Sequence, residues 1–211
     1  MPEITAIEPL EDDPNYRVVY VDNNPEVTLP TSALDQLGLV LSQEWTEEVA
    51  TQVALFNQFD EAKSMGLNLI SRKAWGVKEL AARLVKRGID KYVATMITEQ
   101  LEGDGWLDDY KYASARIREW TRIEPASRLW LRMKLRERYV GSDHAEQAIN
   151  EELGDTSEQD LATALAVLRL AKVSNCDENT ARRRVISALS RRGFPTDVGA
   201  EAFRRAQSEN A

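Results

Sequence analysis

The stretch Glu79-Leu80-Ala81-Ala82-Arg83-Leu84-Val85-Lys86-Arg87-Gly88-Ile89 decides how this chain is read, because its skeleton returns twice. Leu80-xxx-Leu84-xx-Arg87-Gly88-Ile89 reappears as Leu131-xxx-Leu135-xx-Arg138-Tyr139-Val140 and as Val185-xxx-Leu189-xx-Arg192-Gly193-Phe194, at offsets of 51 and 54 residues. Apolar residues four apart share one helix face, and a glycine just beyond suits the left-handed position that closes a helix. A polar residue able to cap a following helix comes after each copy (Asp90; Ser142 or Asp143; Thr196), and a further helix precedes each. The pattern predicts a mainly α protein with three tandem three-helix units, 60–107, 108–155 and 156–211, forming an elongated curved module. Tyr139 departs from the glycine, so the second unit is expected to end its helix without the left-handed geometry.

Outward from the repeat, apolar residues keep helical spacing: Val77, Leu80, Leu84; Val93, Ile97, Leu101; Ala113, Ile117, Trp120; Leu161, Leu165, Leu168. Each stripe is read as core-facing. Residues 1–59 differ. Tyr16-Arg17-Val18-Val19-Tyr20-Val21 has strand composition, Asp22-Asn23-Asn24-Pro25 is a turn signal, and Glu26-Val27-Thr28-Leu29 is placed to pair as a hairpin. Thr31 or Ser32 then caps a short helix that Gly38 ends, and a second helix is expected from about Ser42 to Asn57. This predicts a small N-terminal domain of β-hairpin and helices.

Charge separates the two parts. Of 211 residues, 1–60 hold 12 Asp or Glu and one Lys or Arg, whereas 61–211 hold 23 acids and 26 bases. The whole-chain net charge of −8 therefore hides a part with net +3, which alone is suited to face a phosphate backbone. No run approaches the roughly 18 apolar residues of a membrane span, and the N-terminus lacks the basic-then-apolar order of a signal peptide, which predicts a cytoplasmic protein. One cysteine, Cys176, and one histidine, His144, exclude an internal disulfide and the usual zinc sets. No phosphate loop, dinucleotide fingerprint or hydrolase elbow is present, so neither an enzyme nor a cofactor is expected. Asp108 and Asp109 precede a helix, where capping is the better reading than acid–base chemistry or Mg²⁺ binding.

Three segments in order carry a family resemblance: Arg72 with Glu79-Leu80-Ala81-Ala82-Arg83-Leu84; Gly105-Trp106-Leu107-Asp108-Asp109-Tyr110-Lys111-Tyr112-Ala113; and Arg192-Gly193-Phe194. Over about residues 62–206 the chain resembles the RecX family, with Ser127 where the family usually has glycine and Asp108 where Asn is commoner. The resemblance implies a regulator that binds the RecA recombinase filament on DNA, lies in its groove, inhibits or tunes recombination, DNA repair and the SOS response, and touches DNA weakly.

The basic residues suited to such a surface are clustered. Lys111, Arg118 and Arg122 form one stripe of a helix; Arg128, Arg132, Lys134, Arg136 and Arg138 follow on the next; Arg182, Arg183, Arg184 and Arg191 lie in a segment, 181–194, that has no acid. Guanidinium forks pair bidentately with phosphates or carboxylates, and an ordinary solvated face, the competing reading, would mix signs. Trp130 is read as core before interface anchor, and Trp75 and Trp106 as core or junction residues. The preferred reading is a monomeric filament regulator. A direct helix-turn-helix DNA-binding regulator and a helical protein scaffold indifferent to DNA are the alternatives.

Overall fold

The computed structural model describes residues 1–209. Strands β1 (Ile4–Leu10), β2 (Asp13–Val21) and β3 (Asn24–Pro30) are followed by helices α1 (Thr31–Leu37), α2 (Glu47–Ile70), α3 (Val77–Val85), α4 (Lys91–Gly103), α5 (Asp109–Ile123), α6 (Arg128–Glu137), α7 (Ser142–Leu153), α8 (Glu158–Ala171), α9 (Glu178–Arg191) and α10 (Thr196–Glu209). The protein is mainly helical, as expected. The described residues divide into two compact units, residues 1–71 with 81–97, and residues 72–80 with those from 98 on.

In the first unit the sheet has the antiparallel order β1-β2-β3. The expected hairpin is present, but its turn is shorter than read: Asp22 and Asn23 have φ of 50° and 68°, and Asn24 already pairs with Val21. Positive φ at both central residues is what a two-residue turn compatible with strand twist demands, and Asp and Asn tolerate it. Strand β1 was not foreseen. Pro9 and Glu8 dilute its strand signal, and Pro9 is accommodated because β1 is an edge strand whose register shifts at Pro9/Leu10.

Helix α1 ends at Gly38 in the left-handed conformation, as expected, but Thr31 does not cap it; its hydroxyl donates to the Asn15 carbonyl. The next helix starts later and runs further than the predicted Ser42–Asn57. Ser42 lies in a turn at φ 62°, the Thr46 hydroxyl caps α2 through the Val49 N–H, and no proline or helix-ending glycine stops the helix at Asn57. The sheet and α1 and α2 close over Ile4, Val19, Leu29, Ala33 and Val53.

The second unit has its own core of Ile117, Leu131, Leu135, Ile149, Leu165, Leu189 and Phe203, among others. The apolar stripes read from the sequence are buried, except that Leu168 is exposed and Trp120 only partly covered. Side-chain caps start several helices: Asp108 accepts from the Lys111 N–H, Ser127 from Trp130, Ser157 from Asp160 and Asp177 from Thr180. The expected cap at Ser142 or Asp143 is not made, because the N-cap of α7 is Gly141, which has no side chain to supply it.

One capping geometry recurs at the ends of α3, α6 and α9. Ile89, Val140 and Phe194 each donate a backbone N–H to the residue five before, Leu84, Leu135 and Leu189, at 3.2, 3.1 and 3.2 Å. The preceding residues, Gly88, Tyr139 and Gly193, all have positive φ: 98°, 62° and 81°. Tyr139 thus takes the left-handed conformation that its side chain disfavours, against expectation. The apolar residue after it is buried and pulls the chain back over the last turn, which outweighs the local strain.

Candidate nucleic-acid interface

Helices α5, α6 and α9 position the basic residues singled out above, and the structure separates those engaged internally from those that are not. On α5, Lys111 Nζ lies 3.1 Å from Asp108 and Arg118 Nε 3.6 Å from Glu152. On α6, the Arg128 guanidinium donates to the carbonyls of Gly154 and Thr156 at 2.7 and 2.9 Å and so holds the segment after α7. Arg132 forms a fork with Glu146, Lys134 pairs with Glu137 at 2.6 Å, and Arg138 pairs with Glu79 at 2.7 Å.

Arg122, Arg136, Arg182 and Arg183 remain exposed, with no carboxylate oxygen within 4.0 Å among the described residues. Among the described residues, Arg184 and Arg191 bond to uncharged groups, the Cys176 sulfur at 3.1 Å and the Ser187 hydroxyl at 2.7 Å. These six are available to an external anion. Arg136 also belongs to a mixed stripe: Leu129, Met133 and Arg136 follow at i, i+4 and i+7 of α6, with Leu129 53% and Met133 46% exposed, while Leu131 and Leu135 fill the opposite, buried face. Apolar and arginine side chains together on one exposed helix face match the core composition of protein interfaces.

Trp130 packs against the core, as expected, edge-on to Trp120 at 5.7 Å, with the Arg192 guanidinium 4.5 Å from its ring centre. Of the two places read for Trp106, core or junction, the structure gives the junction: it lies between α4 and α5 and is 60% exposed, and Gly105 at φ 79° turns the chain so that Leu107 is buried instead. Trp75 is partly covered, with Lys73 Nζ 3.6 Å over its ring. His144 is exposed and Cys176 half-buried.

Two carboxylates to which the sequence reading gave no role, Glu124 and Glu79, organise this unit. Glu124, at the end of α5, is buried and accepts Arg169 at 2.5 Å and Arg192 at 3.3 Å, with Lys172 at 3.7 Å. Burial resists its ionisation, but the Arg169 and Arg192 guanidiniums outweigh that and hold its carboxyl below the ordinary value of 4.5. Burial likewise opposes ionisation of Glu79, and hydrogen bonds from the Tyr112 hydroxyl, at 2.7 Å, and from Arg138 reverse the balance. The Tyr112 phenol is pushed up by burial and by Glu79. Asp109, expected to cap its own helix, accepts the Val77 N–H at 2.8 Å and so caps α3, 32 residues away. Nothing local in the sequence signals such pairings.

No family model matches the chain. A Regulatory protein RecX from Thermus thermophilus is 32% identical over 149 residues, covering 71% of this chain and 94% of that relative. The Regulatory protein RecX of Treponema pallidum is 31% identical over 147 residues, 70% of this chain and 77% of that protein.

The chain belongs to the RecX family.

A crystal structure of regulatory protein RecX shares its fold with a TM-score of 0.72 at 21% identity, covering 97% of this chain and 100% of that one. RecX from Lactobacillus salivarius superposes with a TM-score of 0.59 at 16% identity, over 72% and 98% of the two chains. The RecX relatives are named as regulatory proteins. Among the described residues of this RecX-family chain, no helix is long and apolar enough to cross a membrane, and no group of three His, Cys, Asp or Glu converges to hold a metal ion.

Proposed function

We propose that this RecX-family chain binds RecA recombinase filaments on DNA and inhibits them, regulating recombination, DNA repair and the SOS response as a cytoplasmic monomer without chemistry of its own. The observation that carries the reading is the set of exposed arginines without carboxylate partners among the described residues, Arg122, Arg136, Arg182 and Arg183, together with the exposed Leu129 and Met133 that share α6 with Arg136. Such a surface speeds encounter with a polyanionic filament, and its apolar members supply affinity for a protein partner. The cap that recurs at Gly88, Tyr139 and Gly193 supports taking 60–107, 108–155 and 156–211 as three tandem units behind an N-terminal domain of 1–59. Of the basic residues named from the sequence, Lys111, Arg118, Arg128, Arg132, Lys134 and Arg138 serve internal pairs. The contact set narrows to Arg122, Arg136, Arg182, Arg183, Arg184 and Arg191.

The test adds the protein to preformed RecA filaments on single-stranded DNA and follows ATP hydrolysis and strand exchange. Inhibition is expected, and replacing Leu129→Asp together with Arg136→Glu weakens it by about tenfold or more, the loss of one anchor-sized contribution. No effect of the wild-type protein at several-fold excess overturns the proposal. Tight, sequence-selective duplex binding without any recombinase favours a helix-turn-helix regulator instead.

A further inference from the structure

The first unit holds an open groove of about 560 Å³ between the start of β2, the end of β3, helix α1 and the middle of α2. Tyr16, Phe56 and Phe59, all half-buried, line it, and Asp60 and Lys63 bring charge of both signs. Phe56, Phe59, Asp60 and Lys63 fall at i, i+3, i+4 and i+7, one face of α2, so one helix supplies aromatic and charged groups to the same groove. The Thr31 hydroxyl donates to the Asn15 carbonyl at 2.9 Å and ties α1 to β2, which fixes another wall.

Three aromatic residues beside a carboxylate are the chemistry that recognises an organic cation: ring faces attract it through their quadrupole, and the carboxylate accepts its N–H groups. The surrounding charge favours the same ligand. All twelve acids of residues 1–60 lack a basic partner within 4.0 Å among the described residues. The one base of that region, Arg17, donates to the carbonyls of Pro14 and Tyr16 at 2.7 and 3.0 Å and pairs with no carboxylate. Nor does a cation of the chain cover Tyr16, Phe56 or Phe59 among the described residues, whereas Lys73 and Arg192 cover Trp75 and Trp130 elsewhere. Lys63 is the opposing charge in the lining, and it makes no ion pair with Asp60, three positions before it.

A metal ion has no use for the rings, and an open groove along a helix suits a side chain carried on an extended peptide. Ser32 and Gln36, four apart on α1, line the groove without a side-chain partner among the described residues and suit the peptide groups on either side. Arginine fits better than lysine, because its planar guanidinium both stacks on rings and forks onto a carboxylate. We infer that this groove binds an arginine side chain presented by an extended segment of a partner protein. This goes beyond filament binding, since the groove belongs to the first unit, to which the proposed filament contact assigns no residue.

The experiment titrates the full-length protein at low salt with capped pentapeptides Ala-Leu-X-Leu-Ala and follows the protein's NMR signals; X is arginine, its uncharged isostere citrulline, or glutamate. The arginine peptide is expected to bind and to shift the signals of Phe59 and Asp60, and the citrulline peptide to bind more weakly by about fivefold or more, the loss of a charge-assisted contact. Two neutralising substitutions in the lining have opposite expected signs, which no general loss of folding produces: Asp60→Asn weakens binding by about fivefold and Lys63→Gln strengthens it by about twofold. Phe59→Leu keeps an apolar side chain without the ring and weakens binding by about threefold. Glu26→Gln removes the same charge as Asp60→Asn outside the groove and changes affinity by less than about twofold, its effect being long-range and screened. The inference is overturned if the arginine peptide does not bind at millimolar concentration, if the citrulline or glutamate peptide binds as well, or if Asp60→Asn and Glu26→Gln lose equally. It is overturned too if Lys63→Gln weakens binding, which assigns an anionic ligand, or if capped free arginine binds as tightly as the peptide, which assigns a free cation.

Discussion

At Tyr139 a bulky residue occupies a left-handed position, φ 62°, where glycine stands in both counterparts, Gly88 and Gly193. A Cβ in that conformation costs about 1–2 kcal/mol, partly offset because glycine has more freedom to lose on folding. Tyr139→Gly is therefore expected to raise stability by about 0.5–1 kcal/mol in urea unfolding, since the side chain is 57% exposed and gives up little packing. The converse substitutions separate strain from space. A Cβ on Gly88 meets nothing within 4 Å, whereas one on Gly193 falls 2.5 Å from Ser127 Oγ and 3.2 Å from the Trp130 backbone nitrogen. Gly88→Ala should cost only the conformational strain of about 1–2 kcal/mol. Gly193→Ala should cost distinctly more, because the start of α6 must move; equal losses would show that this packing is loose.

At the scale of elements, arginines equivalent in sequence have unequal roles. Arg128, Arg132 and Arg136 recur every four residues of α6, yet Arg128 grips the carbonyls of Gly154 and Thr156, Arg132 holds Glu146 on α7, and Arg136 has no charge partner among the described residues. Arg128→Glu is expected to lower unfolding free energy by about 1–3 kcal/mol, since two carbonyls lose a charged donor and Glu158 gains a like charge beside it. Arg136→Glu should change stability by less than about 0.5 kcal/mol while weakening filament inhibition. Thermal unfolding of the two variants side by side checks the distinction, and a stability loss at Arg136 equal to that at Arg128 would refute it. The Ser127 that replaces the family's usual glycine also has its reason here, as the N-cap of α6.

Across the whole molecule, ionised carboxylates tie the helical unit together, and stability should follow their titration. Glu124 and Glu146 are held below the ordinary value of 4.5 by arginine partners, and Glu79 by the Tyr112 hydroxyl and Arg138, against burial in each case. A lowered folded-state value means that the stabilisation is fully present above the ordinary value and is lost as pH falls through the folded one. Unfolding free energy should thus be flat near neutrality and decline below about pH 4.5, the titration range of unfolded glutamate. Glu124→Gln should be destabilised at pH 7, where Arg169, Arg192 and Lys172 lose their counter-charge, and should show a shallower decline in acid. A variant with the wild-type acid slope would remove Glu124 from this role.

The sequence by itself determined what depends on neighbours a few residues apart. The helical class, the hairpin, the caps at Asp108 and Gly38, and the buried stripes all follow from spacing and backbone preference, which act locally. The repeat likewise located the three helix ends, with a left-handed close expected only at Gly88 and Gly193, and the resemblance pointed to the family. Only the tertiary structure decided which basic residues are engaged. Glu124 with Arg192 and Glu79 with Arg138 join groups 68 and 59 residues apart, and Asp109 caps a helix 32 residues before it. No periodicity encodes such pairs, because a side chain's partner is set by which helix packs beside it. Tyr139 shows the same order of causes: its own preference favoured another ending, and burial of Val140 overruled it.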